Sequence, residues 1–157
     1  MKKAIQIGYD GLFRDKCRYA AEAGFDGISV NYTQVLGKSE AEWDLITDDI
    51  GNILSDLGLA CYQSHPHYYD LLLSSEIRDE DMEFAMRMSI KSSAKLGAEY
   101  CVFHPRTSIS SGWRRSVSFE DNKKWFGELL ECAKSYGTGI AAENLPIFPD
   151  TKFIMPF

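Results

Sequence analysis

The sequence predicts an α/β protein in which short apolar strands alternate with amphipathic helices, a pattern typical of a parallel sheet covered by helices. The main observation is a repeat in which each helical stretch ends at a glycine and a short apolar strand follows within a few residues. Glycine supplies the left-handed residue that closes a helix. These residues, spaced 34, 39 and 40 positions apart, are Gly24, Gly58, Gly97 and Gly137. Each interval suits one helix, one strand and two loops.

Five strands are expected, each of them a short run that is apolar on both faces. Such runs are typical of strands buried within a parallel sheet. The first precedes the first helix and the others follow the four glycines; they are Ala4–Tyr9, Gly27–Val30, Leu59–Tyr62, Tyr100–Phe103 and Gly139–Ala142. Four helices lie between them.

The helices are predicted from caps and from apolar residues at helical spacing. Ser39 and Glu42 form a capping-box motif, in which each side chain accepts a hydrogen bond from the other residue's main chain. The buried stripe that follows is predicted to be Trp43, Ile46, Ile50, Ile53, Leu54 and Leu57. Asp79 and Ser118 are expected to cap two further helices. Their inward residues are predicted to be Met82, Ala85, Ser89, Ala94 and Leu96 in the one, and Phe119, Trp125, Leu129 and Cys132 in the other.

Two architectures fit this order of elements. An open, doubly wound sheet of flavodoxin type needs about this many elements. A complete (β/α)8 barrel needs about 250 residues, so a chain of 157 residues would hold five of its eight strands. Against the open sheet, the segment Gly8–Gly11 lacks the spacing of a glycine-rich phosphate loop. Segment 146–157 is also apolar without helical periodicity, which an open sheet does not explain.

Composition narrows the class of function. The net charge of −6 and the pI near 5.1 argue against binding nucleic acid or an anionic membrane by bulk charge, because such surfaces are usually basic. No apolar run approaches the length of a membrane helix, and the first residues resemble a strand rather than a signal peptide. A cytoplasmic protein is therefore expected. Its four widely separated cysteines are predicted to be buried free thiols.

Three of the predicted strands end in residues that bind metals or move protons. His65 and His67 follow the third strand, His104 follows the fourth and Glu143 follows the fifth. The carboxyl ends of parallel strands meet on one face of both barrels and open sheets, so these side chains are expected to share a pocket. All three histidines of the chain lie in these segments. Because Pro66 is predicted to end its strand, the direction of the His67 side chain is the least determined.

These segments resemble those of the xylose isomerase-like barrel superfamily, which includes sugar-phosphate isomerases and epimerases, ketose 3-epimerases and endonuclease IV. The resemblance spans the whole chain. Its motifs follow the third, fourth and fifth strands; they are His65-x-x-Tyr68 with Asp70-Leu71, Phe103-His104-Pro105, and Ala142-Glu143-Asn144. It implies a partial (β/α)8 barrel in which residues 1–157 form a single, C-terminally incomplete domain. The remaining ligands of the family, an aspartate, a histidine and a second glutamate, are expected from strands beyond this chain.

The resemblance also implies roles for individual residues. Glu143 is expected to bind the metal and to act as an acid/base carboxylate. His104 is expected to be catalytic and, with His65, to line the pocket and serve as a further metal ligand. The residues expected to contact substrate are His65, His67, Tyr68, Arg106, Trp113 and Asn144. The last two arginines of the segment Arg106–Arg115, which is predicted to be a long loop, are more typical of a solvated surface. Tyr9 and Asn31 can equally bind a polyol or cap a loop.

The function implied is isomerisation or epimerisation of a sugar or sugar phosphate. In this chemistry a carboxylate removes the proton next to a carbonyl, and a divalent cation binds the substrate oxygens. Mixed oxygen and nitrogen ligands suit Mn, Co, Mg or Zn alike. The expected partners are a small sugar substrate and further copies of the chain in a homo-oligomer, without nucleic acid or membrane.

Three other functions remain open. The first is an endonuclease IV-like zinc phosphodiesterase, which the acidic composition disfavours. The second is a hydrolase that uses His65 and His67 as a metal pair, although such a pair usually follows the first strand of its barrel. The third is an inactive barrel fragment that self-associates, because a half-open barrel exposes edge strands and an apolar interior.

Overall fold

The computed structural model describes residues 2–66, 79–105, 107–110, 113–116 and 119–143; at 79, 107–110 and 113–116 it describes the main chain alone. The elements alternate between strand and helix, apart from two short strands between β4 and α4. In chain order they are β1 (Ala4–Gly8), α1 (Phe13–Glu22), β2 (Gly27–Asn31), α2 (Glu40–Leu57), β3 (Ala60–His65), α3 (Asp79–Lys95), β4 (Tyr100–Phe103), β5 (Thr107–Ser110), β6 (Trp113–Ser116), α4 (Phe119–Tyr136) and β7 (Gly139–Ala142).

Five of the strands form one sheet in the order β1-β2-β3-β4-β7. All four pairings within it are parallel. Each new strand is thus added beside the previous one, as in the wall of a (β/α)8 barrel. An open doubly wound sheet instead reverses its strand order at a switch point. The chain therefore forms part of a (β/α)8 barrel, and the five strands and four helices predicted from the sequence are confirmed.

The glycines that close the helices have the predicted left-handed conformation. Their φ angles are 78° at Gly24, 65° at Gly58, 75° at Gly97 and 79° at Gly137. This region of conformational space strains any residue with a side chain. The repeat seen in the sequence therefore marks four real helix ends.

Helix caps are confirmed in part. In α2, Ser39 Oγ accepts a hydrogen bond from the Glu42 main chain, and the Glu42 carboxylate accepts one from the Ser39 main chain at 2.8 Å. Asp79 is the first residue of α3 rather than the residue before it. Ser118 lies outside the described residues.

Most predicted inward residues face the core. In α2 the stripe is buried at Trp43, Ile50, Ile53 and Leu54 and half-buried at Ile46 and Leu57. In α3 it is buried at Met82, Ala85 and Ser89 and half-buried at Ala94, and Leu96, just after the helix, is half-buried as well. In α4, Trp125 and Leu129 are buried and Cys132 is half-buried. Phe119 is 52% exposed, so its inward placement was wrong. Phe119 and Trp125 are six positions apart, so the helix rotates by about 240° beyond one full turn between them. Phe119 therefore lies on a different face from Trp125.

Two clusters of apolar side chains lie between the sheet and the helices. In the first cluster Trp43 packs on Tyr32, with ring centroids 5.3 Å apart; in the second, Trp125 packs on Phe103 at 5.9 Å. The cysteines are free thiols, as predicted, and Cys132 is half-buried where the other three are buried. Within the described part of the chain, no helix is long and apolar enough to cross a membrane.

Two predicted boundaries were wrong. Strand β3 continues past Tyr62 to His65, and its pairing with β2 changes register on the way, between Ile28 and Ser29. The segment Arg106–Arg115, predicted to be a loop, contains an antiparallel hairpin in which Thr107 pairs with Ser116 and Ser110 with Trp113. Thr107, Ile109 and Trp113 are of types enriched in strands, but the segment is short and rich in serine and arginine, a composition typical of a surface loop.

Candidate metal centre at the strand ends

The three predicted residues lie together at the carboxyl ends of neighbouring strands. His65 is the last residue of β3, His104 follows β4 and Glu143 follows β7. These strands are adjacent in the sheet, and Glu143 N donates to Phe103 O at 2.9 Å, which extends the pairing of β7 with β4 by one step. On the other side of the site, Tyr32 N donates to His65 O at 2.8 Å. The main chain of the sheet therefore positions all three side chains.

The ligand atoms converge on a small volume. Glu143 Oε2 lies 3.9 Å from His65 Nε2 and 3.7 Å from His104 Nε2. The two imidazole rings have centroids 6.0 Å apart and are inclined by 30°. One ligand atom from each residue falls within 4.8 Å of the other two. The sequence prediction that these residues come together is correct.

Burial differs sharply among the three side chains. His65 and His104 are 8% and 12% exposed, whereas Glu143 is 52% exposed. Burial lowers the pKa of both imidazoles, because it disfavours their charged forms, while the Glu143 carboxylate opposes the shift. The shift favours the neutral form of both histidines, which is the form in which imidazole binds a metal.

This donor set fits a divalent cation. Two ligands about 2.1 Å from a tetrahedral ion lie about 3.4 Å from each other, a few tenths of an ångström less than the nitrogen–oxygen distances here. Within the described residues, the buried His65 Nδ1 has no hydrogen-bond partner. Two neutral nitrogens and one carboxylate suit Zn, Mn or Co. Mg could also bind here, mainly through the carboxylate. Further ligands or water would complete the coordination of any of these ions.

The other predicted site residues fall into two groups. His67, Tyr68, Arg106 and Asn144 lie outside the described residues, so their roles stay predictions. Trp113 begins strand β6, where only the main chain is described.

The two polar residues with open roles both make structural contacts. Tyr9 OH donates to Asp49 Oδ2 at 3.0 Å, and Asn31 Oδ1 accepts from Thr33 N at 2.8 Å. The contact of Asn31 is the loop cap that was one of its two predicted roles. A polyol would have to compete with these hydrogen bonds to be bound by either residue.

One cavity near the strand ends was missed by the sequence analysis. It has a volume of about 310 Å³ and lies beside the loops that follow β1 and β2. Its polar lining includes Tyr9, Asp10, Gln34 and Lys38. Gln34 and Lys38 belong to no motif, so no signal in the sequence distinguishes them from surface residues.

Comparison with known proteins identifies the fold. Among solved structures, a D-tagatose 3-epimerase-like protein matches with a TM-score of 0.64 and 18% identity over 96% of this chain and 55% of its own. A xylose isomerase-like TIM barrel protein from Mycobacterium smegmatis in complex with magnesium matches with a TM-score of 0.61 and 14% identity, over 90% and 54%. For 3-keto-D-glucoside 4-epimerase from E. coli the TM-score is 0.57 and the identity 15%, over 90% and 56%.

These matches are low in sequence identity and cover about half of each matched structure. At such identities they show a shared fold, and the chain spans about half the length of the structures it matches. No curated protein sequence matches the chain. A family model described as xylose isomerase-like TIM barrel matches residues 17–153, which is most of the chain. The chain therefore belongs to the xylose isomerase-like TIM barrel family.

Proposed function

We propose that the protein is a divalent-metal-dependent isomerase or epimerase of a sugar or sugar phosphate, with His65, His104 and Glu143 as metal ligands. The observation that carries the proposal is the convergence of their ligand atoms within 4.8 Å at the strand ends. Barrel enzymes place their active sites on this face. Of the three structures described above, two are named as a sugar epimerase or epimerase-like protein, and the third is a magnesium complex.

The roles of the three residues follow from their burial and charge. A bound divalent cation supplies Lewis-acid stabilisation of the negative charge that develops when a carbon next to a carbonyl loses its proton. Glu143 is half exposed, so its carboxylate would help to hold the cation and could also accept or return a substrate proton. His104 and His65 are buried and neutral, and they hold the site without adding positive charge.

The proposal covers the whole protein. In this proposal residues 1–157 belong to one barrel domain, and further strands of that domain contribute the remaining metal ligands. His67, Tyr68, Arg106, Trp113 and Asn144 are proposed to contact the sugar. The net charge of −6 continues to disfavour a phosphodiesterase that acts on nucleic acid.

The first test is metal binding by Glu143→Gln. Replacing the only anionic ligand of the three with a neutral amide should weaken the binding of Mn²⁺, Co²⁺ or Zn²⁺ by more than tenfold, measured by calorimetric titration of each ion. The control is Glu128→Gln, which removes the same charge from an exposed position of α4 and should bind as wild type does. Equal affinity in Glu143→Gln and wild type contradicts the proposed ligand set.

The second test concerns the chemistry. In D₂O, with a panel of ketoses and ketose phosphates, proton transfer next to the carbonyl should place deuterium on that carbon of the product, detected by NMR. Removal of metal by a chelator should abolish this exchange, and adding the ion back should restore it. Turnover that persists in Glu143→Gln contradicts the acid/base role of that residue.

A further inference from the structure

The two strands that carry the histidines are joined by a short ladder. Strands β3 and β4 share only two registered pairs, Gln63 with Tyr100 and Ser64 with Cys101. By comparison, β2 and β3 share five pairs, and β4 and β7 share four. One further main-chain hydrogen bond joins the two segments, from Glu99 N to Tyr62 O at 3.2 Å. Main-chain pairing therefore constrains the separation of His65 from His104 less than a longer ladder would.

A buried polar cluster lies next to this short ladder. Ser64 Oγ contacts Ser93 Oγ of α3 and lies 3.3 Å from Cys101 Sγ of β4. Ser93 Oγ also donates to Ser89 O within α3. The side chains of these four residues are completely buried. Since a hydrogen bond is strengthened in surroundings of low polarity, the cluster ties β3 to both β4 and α3.

A bulge in β3 explains why the Ser64 side chain lies on the side of the sheet that holds this cluster. Ile28 pairs with Cys61 and Ser29 with Gln63, so Tyr62 is an extra residue in β3. In a regular strand Cys61 and Ser64, three residues apart, would face opposite sides of the sheet. The bulge lets both face the helices, and the next residue, His65, then faces the opposite side. Bulges of this kind re-aim side chains next to active sites.

We propose that Ser64 is a positioning residue for the metal centre, since its hydroxyl, bound between Ser93 and Cys101, sets the separation of His65 from His104. This inference rests on the proposed metal site. Ser64 directly precedes His65, so a small movement of its main chain moves the imidazole by a similar amount. Ligand distances to a cation are defined within about 0.2 Å, so such a movement weakens binding.

The test compares three serine-to-alanine variants of α3 and β3. Ser64→Ala and Ser93→Ala each remove one side of the contact and should weaken Co²⁺ binding by about tenfold, the lower end of the usual effect of residues that support metal ligands. Ser92→Ala is the matched control, because Ser92 is also buried in α3 but contacts the side chains of Tyr32 and Thr47 instead. Tyr32 contacts His65 through its main-chain N, which this substitution does not remove. It should keep the wild-type affinity.

Two measurements separate positioning from general loss of stability. Co²⁺ affinity and visible absorption spectra are recorded well below the unfolding transition, and the free energy of unfolding is measured for each variant. The inference predicts a changed Co²⁺ spectrum for Ser64→Ala and Ser93→Ala but not for Ser92→Ala. Wild-type affinity and spectrum in both of the first two variants overturn it, as does an equal loss in Ser92→Ala. Absence of Co²⁺ binding by wild type overturns the proposed function itself, together with this inference.

Discussion

At the scale of single residues, Gly27 is a position in the sheet where a side chain does not fit. A Cβ atom there would lie 2.4 Å from Ala60 O and 2.6 Å from Tyr62 Cε2. Gly27→Ala should therefore push β2 and β3 apart and lower the free energy of unfolding by about 1–3 kcal/mol. Chemical denaturation monitored by circular dichroism measures this loss.

The matched control for Gly27 is another glycine that has space around it. A Cβ at Gly127, on the exposed face of α4, would have no atom within 4 Å. Gly127→Ala should raise the free energy of unfolding by about 0.5–1 kcal/mol, because alanine loses less conformational freedom than glycine in a helix. A change of the same sign in both variants would contradict the steric argument.

The candidate metal site also shows which residues the sequence could predict and which it could not. His65, His104 and Glu143 were predictable because each directly follows or ends an apolar strand, and parallel strands bring their carboxyl ends together. The role of Ser64 was not predictable. Its contacts with Ser93 and Cys101 join residues 29 and 37 positions away, and no local pattern marks them.

At the scale of elements, the capping box of α2 should make stability depend on pH. The main chain and side chain of Ser39, and then Lys38, lower the pKa of Glu42 to about 2 from an ordinary value of 4.5. A carboxyl group whose pKa is lowered by folding stabilises the protein above its unfolded pKa, and this contribution disappears as the pH falls through the folded pKa.

Glu42→Gln tests this expectation, since it keeps a side chain that can accept the Ser39 hydrogen bond but removes the charge. Its midpoint of thermal unfolding should lie below that of wild type at neutral pH. The difference should shrink as the pH falls from about 4.5 towards about 2, where the wild-type carboxyl group also becomes neutral. Glu128→Gln controls for the loss of net charge. A difference that does not change with pH would contradict the assignment.

Helices and strands were predicted correctly where the residues that determine them are close together in the sequence. The positive φ angles of the helix-closing glycines and the capping box depend on a few neighbouring residues. Prediction failed at β3, whose bulge at Tyr62 arises from its pairing with β2. It also failed at the β5–β6 hairpin, whose two polar strands are paired with each other. In both cases the structure is determined by a partner strand rather than by the segment itself.

At the scale of the whole molecule, the first strand presents an edge. Among the described strands β1 pairs with β2 alone, and a groove of about 460 Å³ lies between β1 and α1. Its apolar lining consists of Ile5, Ile7, Tyr19, Ala20, Ala23 and Phe25. An edge of this kind is prone to pair with another chain, so we expect a polypeptide of residues 1–157, without the further strands that would close a barrel, to self-associate.

Light scattering over a range of concentrations tests this expectation. Ile5 is 41% exposed on the edge strand, and Ile5→Lys should shift the equilibrium towards the monomer, because a buried lysine at an interface loses hydration without a partner. Leu45→Lys changes a side chain that is 70% exposed on α2 and should leave the equilibrium unchanged. A wild-type monomer at every concentration would refute the prediction.

The sequence by itself determined the alternation of elements, the four helix ends, and the placement of two histidines and a glutamate at strand ends, because each depends on residues close together in the chain. Only the tertiary structure decided between the open sheet and the barrel. Both architectures use the same local elements and differ in strand order, which depends on contacts between residues far apart in sequence. The same is true of the distances within the candidate metal centre, since His65, His104 and Glu143 are brought together by three strands that are neighbours only in the folded sheet.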